Sequence, residues 1–359
     1  MMKKKVYTGD DIAALLRAGK SVDSIPVDVV LTPSAKDALR DAKGGVGATV
    51  AAAGDDSAAP IVPDYEYHWE PGADPKTQRD ISAFFNSAPI NELKEKMVNI
   101  GRRMWDREYT DGNGGNLTIR VGDNLVLCTP TLVSKGFMTP EQMCLVDLEG
   151  RQLAGKFKRT SECLTHLGII KRQPKAKACC HAHPPHGTAF AVAGVQPPTC
   201  LIPEAEVFLG QIGMADYRTP GTPDVAKEVG EAGIDHMAVL MLNHGVITWG
   251  KDVEDAYWRM ENLESYCKTV WVATQLDGGK MLKFTSGQVK DLIAIRESMG
   301  MDDKRKDWKE CELCDNSDFR PGPVCQVPAQ GGGGGSQTSL DPEAEKLVQK
   351  ITAEILRNR

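Results

Sequence analysis

The chain has 359 residues, 41% of them apolar, which exceeds one average domain and suffices for a substantial buried core. A formal charge of −6 and an isoelectric point near 5.7 leave no basic footprint for nucleic acid. No apolar stretch is long enough to span a bilayer, and MMKKK leads into no signal-peptide segment, so the ten cysteines are expected as mostly free thiols in a reducing, cytoplasmic setting.

Residues 1–45 read as a small folded segment. A helix is predicted from Thr8 in TGDDIAALLRAG, a short strand in IPVDVVL, and a second helix in LTPSAKDAL, where Thr32 and Pro33 suit a helix start. Residues 46–79 are small and proline-containing with few large apolar groups, the composition of a linker. The main domain is placed at 80–300. Within it, Gly112-Asn113-Gly114-Gly115-Asn116 precedes a strand pattern, and its glycines let backbone amides approach an anion closely. The same loop also reads as a plain tight turn, as does GDN at 122–124. Thr160-Ser161-Glu162 opens an amphipathic stretch carrying Leu164, Leu167, Ile169 and Ile170, with Ser161 placed to cap it and Glu162 at its start.

Three of the seven histidines then crowd into HAHPPH, at His181, His183 and His186. KAKACC ahead of them reads as a buried strand that the two prolines end. Residues i and i+2 of a strand share a face, so His181 and His183 present two imidazoles together, as chelation of a divalent ion requires. A third comes from Asn243-His244-Gly245, at the end of the apolar run AVLMLN. With Glu162 the set is three nitrogens and one carboxylate, which favours zinc or another first-row divalent ion. His186 lies beyond the prolines, off the strand's alternation, and reads as pocket-lining. His166, one helical turn after Glu162, reads as either a partner of a ligand or a packed residue. His68 and His236, each isolated, read as surface or hydrogen-bonded residues.

Further on, Pro203 begins a helix whose first turn holds Glu204 and Glu206. They read either as proton-transfer groups or as ordinary carboxylates favoured by the helix dipole. A long helix is predicted from about Val253 to Leu276. Residues 301–330 form an extension with Cys311, Cys314 and Cys325, which are three ligands of an incomplete zinc knuckle or else free thiols. Residues 331–339, containing GGGGGS, are a flexible tether. In 340–359, Asp341 caps and Pro342 opens an amphipathic helix with Ala344, Leu347, Val348, Ile351, Ile355 and Leu356 on one face.

The order GGNLTIR (114–120), TPT (129–131), TSE (160–162), HAHPPH and NHG, with VDLEG between, resembles the class II aldolase/adducin family over about residues 89–275. The resemblance implies an α/β fold with a central, mainly antiparallel sheet flanked by helices in three layers. It implies one zinc per subunit on Glu162, His181, His183 and His244, and a substrate phosphate held by Gly115, Asn116, Thr131, Thr160 and Ser161. It also implies proton transfer by Glu162, fourfold homotetramers, and cleavage of a deoxyketose 1-phosphate of the L-fuculose or L-rhamnulose type to dihydroxyacetone phosphate and lactaldehyde. Two departures stand out. Leu132 follows TPT where the family's aldolase has glycine, and Ser134-Lys135 just beyond it offers an alternative cationic contact. No tyrosine lies in 200–206, where the aldolase carries one, and Glu204 or Glu206 falls instead where related sugar-phosphate dehydratases carry a catalytic glutamate. A dehydratase or epimerase of the same family is the alternative enzyme. A catalytically silent, adducin-like interaction module is the alternative of another class, and the full ligand set speaks against it.

The ends of the chain resemble parts of bacterial microcompartment enzymes. Residues 340–359 are similar to encapsulation peptides, which bind a shell protein helix-in-groove, and 1–45 is similar to N-terminal segments of ethanolamine-type compartment enzymes. The implied location is the lumen of a microcompartment, where an aldehyde product would be confined. Packing of the C-terminal helix on its own domain or tetramer is the competing reading.

Overall fold

The computed structural model describes residues 65–276 and 280–316, Phe319, and short runs and single residues between 6 and 39. Residues 46–64 of the expected 46–79 linker, Cys325, the glycine-rich tether and the 340–359 segment lie outside the described residues, while 65–79 are described and Tyr67 there packs against the core. Residues 1–64 and 65–359 form two separate compact units. In the first, β1 (Val6–Tyr7) and β2 (Val30–Leu31) pair in parallel, Val6 against Val30. Asp11, Ile12, Ala14 and Leu15 between them are helical, as a parallel crossover requires.

The second unit is built on an eight-stranded sheet. Two helices lead in, α1 (Gln78–Phe85) and α2 (Ala88–Asp106). Then come β3 (Asn116–Arg120), β4 (Val126–Cys128), β5 (Cys144–Val146), β6 (Gln152–Ala154), α3 (Cys163–Arg172), β7 (Ala178–Ala182) and α4 (Pro185–Ala193). After a π-helical turn at Ala205–Leu209 follow β8 (Gly213–Ala215), α5 (Pro223–Asp235), β9 (Ala238–Met241), β10 (Gly245–Gly250), α6 (Val253–Ala273), α7 (Ser286–Ser298) and the short α8 (Glu310–Leu313). The spatial order is β6-β5-β4-β3-β7-β10-β9-β8, and every pairing is antiparallel except β8 with β9. The expected α/β architecture, a mainly antiparallel sheet between helical layers, is what the chain adopts.

Strand alternation divides the apolar residues between two faces. Ala178, Cys180 and Ala182 of β7, Leu240 of β9 and Val246 of β10 join the core under α2, α4 and α6. Cys179 of β7, Val239 and Met241 of β9 and Ile247 of β10 join the opposite core under α3 and α5. Those two helices approach so closely that a Cβ on Gly168 would stand 2.1 Å from the Ala226 carbonyl oxygen, which fixes glycine there. His181, two residues after Cys179, therefore faces the α3 layer, where Glu162 introduces the helix.

The extension at 301–330 packs into this unit through its described part. Arg305, 1% exposed, pairs with Glu206 at 2.6 Å and Asp303 at 2.8 Å, and Asp303 meets Arg296 of α7 at 3.4 Å. Cys314 forms a disulfide with Cys200, a separation of 114 residues, so it is neither a zinc-knuckle ligand nor a free thiol. The six cysteines free among the described residues are all buried. Among the described residues no helix is long and apolar enough to cross a membrane.

Candidate metal centre

Three elements converge on one point. His181 is the last but one residue of β7 and His183 follows it by two. His244 sits in the three-residue connection between β9 and β10, with Asn243 at φ 56°, a left-handed position that asparagine tolerates. Gly245 next to it is required, since a Cβ there would stand 2.5 Å from His183 Cδ2 and 2.8 Å from the Ala182 carbonyl oxygen. One ligand atom from each of His181, His183 and His244 lies within 4.8 Å of the others, and the ring centroids are 4.9–5.3 Å apart.

The tautomers follow from the partners. A carbonyl only accepts, so His181 Nδ1–H donates to the Val246 oxygen at 2.9 Å; His183 Nδ1–H likewise donates to Asp111 Oδ1 at 2.9 Å. In the neutral rings both Nε2 atoms are acceptors, and these two atoms and Glu162 Oε1 are buried and make no hydrogen bond of good geometry. Buried polar atoms are costly when unpaired, and three that share a focus are what a divalent cation would satisfy. Glu162 reaches into the cluster, with Oε2 3.2 Å from His181 Nε2 and Oε1 3.1 Å from His244 Nε2. Burial would push this carboxyl up, but His181 and His244 outweigh it and hold Glu162 far below the usual carboxylate range. Burial would lower His181, yet Glu162 and the Val246 carbonyl raise it above its ordinary value. His183 is lowered by burial and by the neighbouring His181. The donor set fits a zinc-type ion.

The expected phosphate residues lie in neighbouring segments. Thr129 N–H donates to the Leu117 carbonyl, Thr160 N–H to Thr129 and Thr131 N–H to Lys158, so the ends of TPT and TSE run beside β3. Gly115 has φ 73°, a left-handed position open to glycine in either a turn or an anion-binding loop. Asn116, however, is aimed inward. Its Nδ2 donates to Glu162 Oε2 at 2.8 Å and its Oδ1 meets His166 Nε2 at 2.5 Å, so its amide serves the carboxylate. Ser161 does not cap α3: Glu162 is the capping residue, and its N–H reaches Thr160 Oγ1 at 3.4 Å. Leu132 keeps the backbone suited to glycine, at φ 58°, with its side chain 80% exposed. Lys135 is buried. Its Nζ donates to the Asn113 and Val133 carbonyls at 2.8 and 2.6 Å and so staples the glycine loop to the following segment. Burial pulls its pKa down to about 8, partly offset by Glu162.

The two downstream glutamates are not brought to the cluster. Both oxygens of Glu206 are engaged, by Arg305 and by the Cys200 N–H at 2.6 Å, which makes it a buried structural anion. Glu204 is exposed and lines a surface cavity together with Arg107, Trp258 and Tyr266. His186 Nδ1 pairs with Glu264 at 2.6 Å, away from the three-imidazole focus. Asp111 was not foreseen, and a carboxylate just ahead of a glycine loop was the available sign. Neither was the inward use of Asn116, which only the β3–β7 register reveals: Asn116 stands opposite His181.

An α/β/α layered unit with a histidine–carboxylate centre at the end of its middle strand defines a metal-site enzyme scaffold. The family model for the class II aldolase and adducin N-terminal domain matches residues 95–271. The 3-oxo-tetronate 4-phosphate decarboxylase of Haemophilus influenzae is 36% identical over 203 residues, 55% of this chain and 95% of that protein. The L-fuculose phosphate aldolase of Methanococcus maripaludis is 36% identical over 181 residues, 50% of this chain and 97% of its own length. A solved L-fuculose 1-phosphate aldolase shares the fold, with a TM-score of 0.53 at 21% identity over 58% of this chain and 97% of that one. The chain belongs to the class II aldolase/adducin family.

Proposed function

We propose that this protein is a zinc-dependent lyase, with one Zn2+ per subunit, that cleaves a deoxyketose 1-phosphate of the L-fuculose or L-rhamnulose type to dihydroxyacetone phosphate and lactaldehyde. The observation that carries this reading is the convergence of His181, His183 and His244, with Glu162 3.2 and 3.1 Å from two of them. An ion held there supplies Lewis acidity at a ketone oxygen. Glu162, kept ionised in a dry setting, removes and returns the proton at the ketone-side carbon. Gly115, Thr131, Thr160 and Ser161 supply backbone and hydroxyl donors for the phosphate, while the Asn116 amide is held on Glu162.

One observation favours a second reading. Aldol cleavage must take a proton from the hydroxyl of the departing aldehyde, and 200–206 offers no tyrosine for that, Glu206 being spent on Arg305. Decarboxylation of a 3-oxo acid phosphate also leaves an electron pair beside a polarised carbonyl but needs no such base, and a relative named for that reaction is 36% identical. Product analysis separates the two. Aldolase action predicts zinc-dependent release of lactaldehyde from a ketose 1-phosphate, while no aldehyde together with carbon dioxide release from a 3-oxo acid phosphate replaces it with the decarboxylase.

The same proposal includes assembly. A homotetramer would cover Trp105, Leu132 and Phe137, which are 41%, 80% and 60% exposed on this chain. Residues 340–359 would dock on a microcompartment shell protein, and the enzyme would work in that lumen within the cytoplasm.

A further inference from the structure

Beneath the metal centre, β3 and α3 hold a chain of buried hydrogen bonds that ends on Glu162. Asn116 and Thr118 are two apart on β3 and so face the same helix. His166, fully buried one turn into α3, meets both: Nδ1 lies 2.9 Å from Thr118 Oγ1 and Nε2 lies 2.5 Å from Asn116 Oδ1.

The direction of every bond in this chain follows from one charge. An ionised carboxylate only accepts, so Asn116 must turn its NH2 toward Glu162. That leaves Oδ1 facing His166, which must therefore carry its proton on Nε2. Nδ1 is then an acceptor, and the Thr118 hydroxyl must donate to it. A flipped Asn116 amide would set its oxygen against the carboxylate. Burial, with the neighbouring His181, drops the His166 pKa to about 3, in keeping with a neutral ring at every working pH.

We propose that Thr118, His166 and Asn116 form a positioning relay that fixes the Glu162 carboxylate toward the imidazole cluster and so sets the affinity of the metal centre. The relay rests on the metal-centre reading above but on no choice between aldolase and decarboxylase. None of the three needs to touch the ion.

The test is zinc affinity of the full chain, measured by competition with a chromophoric chelator, with no substrate present. His166→Leu should weaken zinc by about 10- to 100-fold, the scale on which partners of metal ligands act, and His166→Gln, whose amide both donates and accepts, should recover most of the loss. Combining His166→Leu with Asn116→Ala should weaken binding no further than the single changes, because they break one chain. Wild-type affinity in His166→Leu, or losses that multiply, overturns the relay. Thr118→Val, which keeps the side-chain shape, carries the test if His166→Leu fails to fold, with weaker zinc supporting the relay and unchanged zinc refuting it. Nitrogen-15 spectra of the wild-type chain add a readout that simple packing does not move: His166 should hold its proton on Nε2 from pH 6 to 8, and an Nδ1-protonated ring contradicts the relay. A wild-type chain that takes up no zinc removes the metal-centre reading and the relay with it, whereas normal zinc with unaffected variants removes the relay alone.

Discussion

His181 and His183 show how two residues of one strand become half of a metal site: their outward nitrogens are tied to Val246 and Asp111, and their inward ones are left bare. Replacing both by alanine should abolish stoichiometric zinc, measured by elemental analysis of the purified chain; retained zinc would refute the ligand set. Glu162→Gln should leave the fold intact and slow proton exchange at the ketone-side carbon by at least about a hundredfold, the usual weight of a general base. The pH dependence has a definite sign. Zinc needs neutral imidazoles, and His181 is held protonated to higher pH than an ordinary histidine by Glu162, so zinc affinity should rise with pH through a value above 6.5. In Glu162→Gln the raising charge is gone and that rise should move to lower pH; titrations of zinc affinity against pH in the two proteins check it. The ligand residues were legible because histidine is rare here and i, i+2 alternation is a strict geometric rule. Asp111 and the contact of Asn116 with Glu162 were not, because the partners are 72 and 46 residues away and only the folded register unites them.

At the scale of elements, β7 and β9 were readable from the apolar runs KAKACC and AVLMLN, and α3 and α6 as helical stretches, whereas α1, α2, α4, α5 and α7 were not read from the sequence. What sequence left open was the fate of isolated charges. Glu206 has the same local pattern as a catalytic first-turn carboxylate, and only the return of the chain at Arg305 makes it half of a buried ion pair. Losing one partner of such a pair strands the other. Arg305→Leu should therefore cost about 3–5 kcal/mol of stability in urea unfolding while zinc affinity stays at the wild-type value. Glu206→Gln should behave likewise in kind; a Glu206→Gln chain of normal stability but lost turnover would return that residue to the active site. Cys314 is a related case: its spacing to Cys311 offers a local metal site or a free thiol, and both fail because its partner, Cys200, lies 114 residues earlier.

For the whole molecule, the family domain accounts for about half the chain, and the remainder is what sets this protein apart from the relatives it matches. Removing 331–359 should leave zinc content and specific activity near wild type while abolishing co-purification with shells; lost activity in the truncated chain would mean that the tail belongs to the enzyme proper. The central claim is that the His181, His183, His244 and Glu162 focus is a zinc site for carbon–carbon cleavage of a phosphorylated sugar. Product analysis addresses it most directly, by incubating the zinc-loaded chain with L-fuculose 1-phosphate, L-rhamnulose 1-phosphate and a 3-oxo acid 4-phosphate. The account predicts dihydroxyacetone phosphate and lactaldehyde from a ketose 1-phosphate, lost on chelation and restored by zinc. Turnover that persists without metal, or no cleavage of any of the three, would contradict it.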